Sequence, residues 1–281
     1  MKTVVEKAYA KINWYLAVGE RRADGYHTIL SLMQNVSLAD QVTVTWNETP
    51  GIRLQCRGNV TIPTDATNLA WVAAERYFAY IDREPAVTIE IDKHIPVGAG
   101  LAGGSADAAA VLRAINRIFD CPVTDEELGN IARGIGSDVP FCVSGGLALA
   151  RGRGELLTPM EPCPRRYLLL VNEGEYVSTA KAYAMLDARA TIDPLGDCRE
   201  LLTALRSTGE IRDGLLRNDF APAVLPHCPR ALATLRHLRE LGGVAQMSGS
   251  GSTVFAVFPN EAAAKAAARE MPESAILATT L

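Results

Sequence analysis

Two periodicities in the hydrophobic pattern alternate along the chain and predict a mixture of strands and helices. In Tyr9–Leu16, apolar and polar residues alternate, as in a strand with one packed face and one face that can line a cleft. Similar patterns predict strands at residues 29–36, 41–46, 52–57, 87–91, 147–150, 167–171, 244–247, 253–258 and 275–279. Helical spacing predicts helices at about residues 68–80, 105–119, 125–133, 178–187, 198–206, 229–241 and 261–271. These elements predict the α+β class, with helices packed on antiparallel or mixed sheets.

The length and one proline-rich segment predict two domains. A chain of 281 residues exceeds the usual size of one domain and is long enough to bury two cores. Thr158–Pro164 holds three prolines in seven residues, a composition typical of a boundary. We therefore predict one domain over residues 1–160 and a second over residues 161–281.

Composition and charge argue against several classes of protein. Hydrophobic residues make up 48% of the chain and charged residues 21%, as in an ordinary water-soluble globule. The net charge of −4 offers no basic field to a nucleic acid or an anionic membrane, and no apolar run approaches the ~20 residues of a membrane span. Charged residues interrupt the N-terminal segment where a signal peptide would be apolar. The six scattered cysteines form no Cys-x-x-Cys pair, so we expect reduced thiols and a cytoplasmic protein.

A glycine-rich segment, Pro96–Ala106, is the first candidate for chemistry. It follows a predicted strand, holds four glycines, and leads into a helix for which Ser105 is the predicted N-cap. Glycines allow backbone N–H groups to approach a ligand closely, and the start of a helix adds free N–H groups and a positive dipole end. The segment therefore predicts a phosphate-binding loop, and a tight packing turn is the alternative.

Three familiar glycine motifs compete for this segment. The spacing of its first three glycines matches the dinucleotide-binding fingerprint, which requires a following strand with an acidic residue. Here a second helix follows instead, with a predicted capping box formed by Thr124 and Glu127. The P-loop motif requires a lysine where Gly104 stands, and the glycine loop of protein kinases lies between strands. None of the three motifs fits its context.

Three other features suggest phosphoryl transfer when they are taken together, namely Lys11, Asp138 and the loop Ser248–Ser252, and His27 is a further candidate that stands by itself. Lys11 lies on the polar face of the first strand, and Asp138 lies in a predicted loop. His27 follows an Asp24-Gly25 turn, and Ser248–Ser252 is a second Gly/Ser loop. Each alone has an ordinary alternative: an edge lysine, a turn or cap aspartate, a polar turn residue and a flexible hairpin loop. With a phosphate loop, the lysine, the aspartate and the second Gly/Ser loop supply the positioning, charge neutralisation and base that phosphoryl transfer requires.

The chain resembles the GHMP small-molecule kinases over its whole length. Pro96–Ser105 resembles their phosphate loop, and Met247–Val257 resembles their third motif. Three further segments are similar to the branch of the family that phosphorylates 4-diphosphocytidyl-2-C-methyl-D-erythritol: Ala10–Asn13, Asp24–His27 and Gly136–Phe141. These matches are long and well spaced, so they are more specific than the glycine loop alone.

The resemblance implies a two-domain GHMP architecture with the active site in the cleft. The N-terminal domain would be like domain 2 of ribosomal protein S5, and the C-terminal domain would be ferredoxin-like. The implied activity is ATP-dependent phosphorylation of the 2-hydroxyl of that substrate, in non-mevalonate isoprenoid precursor biosynthesis, with Mg²⁺ entering as MgATP. The implied partner is this small molecule, without nucleic acid or membrane, and the protein would be a monomer or homodimer. The alternatives are another GHMP kinase with a different alcohol, or a non-catalytic nucleotide-binding protein.

The resemblance also implies roles for single residues at the acceptor end. Lys11 and Asp138 would be the catalytic pair, with Asp138 as the base and Lys11 orienting and polarising the 2-hydroxyl. Asn13 would hold the substrate beside them. The ring of Tyr26 would stack on the cytosine, and His27 would donate or accept a hydrogen bond with the base.

The remaining implied contacts lie around the two nucleotides. Tyr183 would supply an aromatic wall opposite Tyr26, with Thr179 nearby. Asn68 and Lys93 would lie near the adenosine of ATP. The residues implied to hold its phosphates are Pro96, Val97, Gly98, Ala99, Gly100, Leu101, Ala102, Gly103, Gly104, Ser105 and Ala106.

Two positions of the loop depart from the family pattern. Ala102 stands where the family more often has glycine, so this position must accept a φ angle compatible with a Cβ atom. Ala106 stands where the family often has serine, so one hydroxyl is missing from the start of the helix. Neither departure removes a residue with an implied catalytic role.

Overall fold

The computed structural model of the chain describes residues 2–57, 61–189, 193–207 and 211–281. Its strands are β1 (Lys2–Arg21), β2 (His27–Trp46), β3 (Gly51–Arg57), β4 (Ala86–Asp92), β5 (Leu147–Arg151), β6 (Leu156–Met160), β7 (Tyr167–Val171), β8 (Arg217–Asn218), β9 (Val244–Met247), β10 (Val254–Phe258) and β11 (Ala275–Thr279). Its α-helices are α1 (Leu69–Tyr80), α2 (Gly103–Ile118), α3 (Asp125–Arg133), α4 (Val139–Ser144), α5 (Thr179–Asp187), α6 (Arg199–Arg206), α7 (Ala221–Val224), α8 (Pro229–Glu240) and α9 (Glu261–Arg269). The predicted α+β class is confirmed.

The described strands form two sheets. The larger has seven strands, with the hydrogen-bonding order β3-β4-β2-β1-β8, while β5 pairs with β2 and β6 with β5. β3 lies parallel to β4, with Leu54 opposite Ile89, whereas β4 lies antiparallel to the second half of β2. The smaller sheet has four antiparallel strands in the order β11-β7-β10-β9.

The chain divides into two compact units that are interleaved in sequence. The first unit comprises residues 1–10, 38–97 and 102–145, and the second comprises residues 11–37, 98–101 and 146–281. The second unit thus takes residues from both sides of position 160. The predicted division into residues 1–160 and 161–281 stays a prediction.

The core of the first unit lies where α1 and α2 pack on each other. Tyr77 and Phe78 of α1 and Ile115 of α2 are fully buried. The Tyr77 hydroxyl donates a hydrogen bond to Asn116 Oδ1 over 2.8 Å, so this buried polar group is satisfied. Asn116 Nδ2 donates to Val123 O over 2.8 Å, which fastens the end of α2 to the segment before α3.

The start of α2 differs from the prediction. Its N-cap is Ala102, at φ 58° and ψ 31°, so Ser105 lies inside the first turn and the predicted cap at Ser105 is wrong. A left-handed residue turns the chain into this helix, where a serine cap would have extended backbone angles. The predicted capping box of α3 is confirmed, since Thr124 N donates to Glu127 Oε2 over 2.8 Å and Glu127 N donates to Thr124 Oγ1 over 3.3 Å.

The core of the second unit is formed by the four-stranded sheet and the helices beside it. Leu169 of β7, Val254 of β10 and Leu238 of α8 are among its fully buried members. Part of the proline-rich segment that predicts a boundary is strand instead, because β6 pairs with β5 and Thr158 lies opposite Leu149. A proline is tolerated there because β6 is an edge strand. Within the described ranges, no helix has both the length and the apolar character to cross a membrane.

Candidate active site

The two glycine loops predicted from the sequence contact each other in the second unit. Ser248 Oγ donates a hydrogen bond to Gly100 O over 3.0 Å, and Thr253 N donates to Ala99 O over 3.3 Å. A Cβ atom on Gly100 would overlap the Ser248 carbonyl oxygen, so glycine is required for this close approach. Residues 98–101 and 248–252 therefore form one joined loop structure, which the sequence presented as two separate candidates.

The other end of the phosphate loop, in the first unit, provides backbone donors at the start of α2. The first hydrogen bond within this helix runs from Ala106 N to Ala102 O over 2.9 Å. The N–H groups of residues 103–105 precede it, and a helix offers such groups no internal acceptor. A Cβ atom on Gly104 would meet no atom within 4 Å, so there is open space beside Gly104. This helix start can bind an anion such as phosphate.

Lys11 and Asn13 begin a buried polar chain on β1 in the second unit. The two residues are 4% and 3% exposed, so Lys11 is not a solvated edge lysine. Lys11 Nζ donates to Asn13 Oδ1 over 2.8 Å, and Asn13 Nδ2 donates to Ser31 Oγ over 2.8 Å. Ser31 Oγ in turn donates to Tyr15 O over 2.9 Å. The chain of hydrogen bonds fixes the orientation of both predicted substrate-contacting residues.

Asp138, in the first unit, is the N-cap residue of α4 and lies in the short segment between α3 and α4, so its predicted position in a loop between elements is confirmed. α4 is a six-residue helix with Pro140 in its first turn, and the Asp138 carboxylate makes no capping hydrogen bond to it. Cys142 N donates to Asp138 O over 3.0 Å, so the backbone of Asp138 is held by the helix. The residue as a whole is half-buried. A carboxylate on a rigid backbone is suited to act as a base.

Arg113 supports the far end of the same helix and was not identified from the sequence. Its Nη1 donates to Cys142 O over 2.7 Å, and its Nη2 donates to Lys7 O over 3.0 Å. Its Nε lies 3.2 Å from Glu6 Oε2, which forms a salt bridge with it. Arg113 thereby joins α2 to α4 and to the start of β1 within the first unit.

His27, Tyr183 and Asp187 form a cluster in the second unit, which we call the His27 cluster. The rings of His27 and Tyr183 are stacked, with centroids 4.9 Å apart and planes at 20°. His27 Nε2 lies 2.8 Å from Asp187 Oδ1, and the histidine is 5% exposed. The Tyr183 ring also contacts Phe220 edge-on, with centroids 4.9 Å apart. Rings stacked at this distance leave no room for a third ring between His27 and Tyr183.

Tyr26 and Thr179 each have a further contact in the second unit. Tyr26 is 53% exposed, and the Arg153 guanidinium carbon lies 4.6 Å from its ring centroid. Thr179 Oγ1 lies 3.2 Å from Ser250 Oγ, so Thr179 contacts the second glycine loop. The predicted contacts of Tyr26, His27, Tyr183 and Thr179 with a cytidine stay predictions.

The two residues predicted beside adenosine have structural partners in the first unit. Asn68 is the N-cap of α1: its Oδ1 accepts from Ala70 N over 2.9 Å, and its Nδ2 donates to Pro63 O over 2.7 Å. Lys93 is buried, and its ammonium forms ion pairs with Asp40 and, over 2.8 Å, with Asp107. Their predicted contacts with adenosine stay predictions. We call Lys93, Asp40 and Asp107 the Lys93 cluster.

Metal ligands do not gather into a site in the part of the chain that the structure describes. No group of three or more His, Cys, Asp or Glu residues there could hold a metal ion. A divalent cation with hard oxygen ligands can instead be held largely by the phosphates of a nucleotide.

Comparison with known proteins identifies the family. The model described as "GHMP kinases N terminal domain" matches residues 68–146, and that described as "GHMP kinases C terminal" matches residues 199–276. The chain is 40% identical to the 4-diphosphocytidyl-2-C-methyl-D-erythritol kinase of Citrifermentans bemidjiense, over 98% of this chain and 96% of the relative. It is 42% identical to the enzyme of the same name from Gloeobacter violaceus, over 95% of this chain and 89% of the relative.

A solved structure agrees with these relatives. The crystal structure of a 4-(cytidine 5'-diphospho)-2C-methyl-D-erythritol kinase is similar to this chain, with a TM-score of 0.85 and 32% identity, over 99% of both chains. The α+β fold with two sheets thus matches that crystal structure. The family models, the full-length relatives and this structure agree: the chain belongs to the GHMP kinase family.

Proposed function

We propose that this chain transfers the γ-phosphoryl group of ATP to the 2-hydroxyl of 4-diphosphocytidyl-2-C-methyl-D-erythritol. The observation that carries the proposal is the 40% identity, over 98% of the chain, with a curated kinase that is named for this substrate. The reaction is a step of non-mevalonate isoprenoid precursor biosynthesis. Membership of the GHMP kinase family implies the use of ATP.

The start of α2 fits the phosphates of ATP. Open space beside Gly104 and the N–H groups of residues 103–105 offer donors to phosphate oxygens. ATP supplies the γ-phosphoryl group, which forms a new P–O bond with the acceptor oxygen as its bond to the departing ADP breaks. We assign the phosphates to residues 96–106, as the sequence predicts.

The acceptor side requires a base and a positive group. The Asp138 carboxylate takes the proton of the 2-hydroxyl, and the Lys11 ammonium orients that hydroxyl and stabilises the developing negative charge on its oxygen. Asn13, which accepts a hydrogen bond from Lys11 over 2.8 Å, keeps the ammonium in one orientation. Positioning and charge neutralisation are the main contributions that a protein makes to phosphoryl transfer.

We further propose that Mg²⁺ is required as MgATP and that the cytidine binds near Tyr26 and His27. Since the described residues build no metal cage, the cation would be held chiefly by ATP. The open face of Tyr26 suits a stacked cytosine, an interaction worth about 1–3 kcal/mol per base. A cytoplasmic location and a monomeric or homodimeric state stay predictions.

The test is a coupled assay of ADP release with MgATP, 4-diphosphocytidyl-2-C-methyl-D-erythritol and a panel of other alcohols. We expect release with the cytidine substrate and not with the other alcohols. Release with a different alcohol would keep the kinase chemistry and reject this substrate. If no compound in the panel gives ADP release although calorimetry shows that MgATP binds, a kinase function is rejected.

The role of Asp138 has its own test. Asp138→Asn should abolish ADP release and leave MgATP binding largely unchanged, because the amide cannot accept the hydroxyl proton. Asp120→Asn is the matched control: Asp120 is an exposed aspartate of the same unit, paired with Lys2 at the surface. The control should retain the wild-type turnover, and wild-type turnover in Asp138→Asn would reject Asp138 as the base.

A further inference from the structure

A buried charged cluster lies beneath the phosphate loop, and the proposed reaction gives it no role. In the Lys93 cluster, the side chains of Lys93, Asp40 and Asp107 are 2%, 0% and 3% exposed. Taking three charges out of water is costly, and buried ion pairs often contribute little net stability. A cluster of this kind therefore calls for an explanation other than stability alone.

Asp40 holds the backbone where the chain enters the loop. Its Oδ1 accepts hydrogen bonds from His94 N over 2.6 Å and from Ile95 N over 2.7 Å, and its Oδ2 accepts from Lys93 Nζ. Asp40 belongs to β2, so the segment directly before Pro96 is fixed to a strand of the sheet. Backbone bonds to a carboxylate are charge-assisted and well defined in direction.

Asp107 holds the helix with which the chain leaves the loop. It lies on the second turn of α2, and its Oδ2 accepts from Lys93 Nζ over 2.8 Å. A Cβ atom on Gly103, the first residue of α2, would lie 3.3 Å from Lys93 Nζ and 3.0 Å from Ile95 Cγ2. The start of the helix therefore approaches the entry segment as closely as a glycine permits.

Burial and the neighbouring charges shift the pKa values of Asp107 and Lys93. Burial raises the pKa of Asp107 to about 7, with Asp40 adding to the rise and Lys93 opposing it. Burial lowers the pKa of Lys93, but the two carboxylates more than offset this and raise it above the usual value. Asp107 Oδ1 is buried and has no hydrogen-bond partner among the described residues. The two neighbouring carboxylates thus keep Lys93 protonated.

We propose that Lys93 is a positioning residue for ATP binding, which holds the entry and the exit of the phosphate loop at one fixed spacing through Asp40 and Asp107. Lys93 touches no phosphate in this role, since its ammonium is occupied by the two carboxylates. The inference rests on the proposed function, because it takes the loop to bind the phosphates of ATP. Preorganised donors bind a ligand more tightly because less order is lost on binding.

The experiment measures MgATP binding by calorimetry, and KM and kcat in the coupled assay, for Asp107→Ala and Asp107→Asn. Asp107→Ala leaves the Lys93–Asp40 pair charge-balanced and removes the tie to α2. We expect its Kd and KM for MgATP to rise about 10-fold, with kcat within about twofold of the wild type. Asp107→Asn keeps an acceptor for Lys93 and should restore both constants to within about threefold.

Asn116→Ala is the matched control. Asn116 is also a buried polar residue of α2, but it bonds Tyr77 and Val123 far along the helix from the loop. It should lower the free energy of unfolding without changing the Kd for MgATP. The inference is overturned if Asp107→Ala changes this Kd no more than Asn116→Ala does. Because calorimetry needs no alcohol, this result stands even if the wild type proves inactive with the cytidine substrate.

Discussion

The Lys93 cluster and the His27 cluster each fix a titratable side chain by direct contacts, but they differ in their access to solvent. In the Lys93 cluster all three side chains are at most 3% exposed. In the His27 cluster the histidine side chain is 4% exposed, whereas its partner Asp187 is 37% exposed. One cluster is sealed inside the first unit, and the other reaches the surface of the second.

This difference separates two ways in which a charged group can serve a binding site. The Lys93 cluster is sealed from solvent, so it can act on the phosphate loop through the backbone that it holds. An exposed edge can contact a ligand directly, so the His27 cluster can contribute to recognition through Asp187 or the rim of its stacked rings. Replacements in the first cluster should therefore change stability and loop geometry, and replacements in the second should change affinity for one substrate.

Lys93→Met should have the largest effect on stability. The substitution leaves Asp40 and Asp107 facing each other without a cation, and removing one partner from a buried ion cluster typically costs about 3–5 kcal/mol. Urea unfolding would measure the loss. The control is Arg57→Gln, which breaks the exposed Arg57–Glu90 pair at 2.6 Å on the same sheet and should cost less than about 1 kcal/mol. Equal losses in the two variants would show that burial does not distinguish the Lys93 cluster.

The titration of Asp107 should appear as a pH dependence of stability. Its pKa is raised to about 7 in the folded chain, against about 3.9 in an unfolded one. The folded state then binds more protons, so the contribution of Asp107 is fully present below about pH 4 and is lost as the pH rises through 7. Urea unfolding at pH 5 and pH 8 should show a larger fall for the wild type than for Asp107→Asn. An equal fall would mean that Asp107 does not titrate in this range.

His27→Ala should raise KM for the cytidine substrate more than KM for MgATP. It removes the ring that stacks on Tyr183 and bonds Asp187, so we expect KM for the cytidine substrate to rise about 10-fold and KM for MgATP to change less than about twofold. His237→Ala, at an exposed histidine of α8, is the control and should change neither constant. An equal rise in both KM values would contradict the assignment of this cluster to the cytidine end.

The periodicity of the sequence predicted most strands and long helices, because those signals are local. The sequence does not predict α4, because a six-residue helix with a proline in its first turn shows no periodicity. The sequence does not predict the partners of Lys93 and His27 either, for a different reason. Asp40 lies 53 residues from Lys93, and Asp187 lies 160 residues from His27. One sequence carries no signal of such pairs, which the fold alone brings together.

The smallest effects should come from two turn residues, one beside each cluster. Ala102, at the start of α2, has φ 58°, and Gly25, in the turn before His27, has φ 85°. A left-handed conformation costs a residue with a Cβ atom about 1–2 kcal/mol relative to glycine. Replacing such a residue by glycine recovers only part of this free energy, because glycine also makes the unfolded chain more flexible and so raises the entropy lost on folding.

Ala102→Gly should therefore raise the free energy of unfolding by up to about 1 kcal/mol, and Gly25→Ala should lower it by about the same amount. The nearest atom to a Cβ on Gly25 would be Arg21 Nη2 at 3.9 Å, so no clash contributes to the second effect. Urea unfolding of both variants tests the pair. Opposite signs would show that backbone conformation sets both effects, whereas a loss of stability in Ala102→Gly would mean that its methyl group contributes more through packing than it costs in strain.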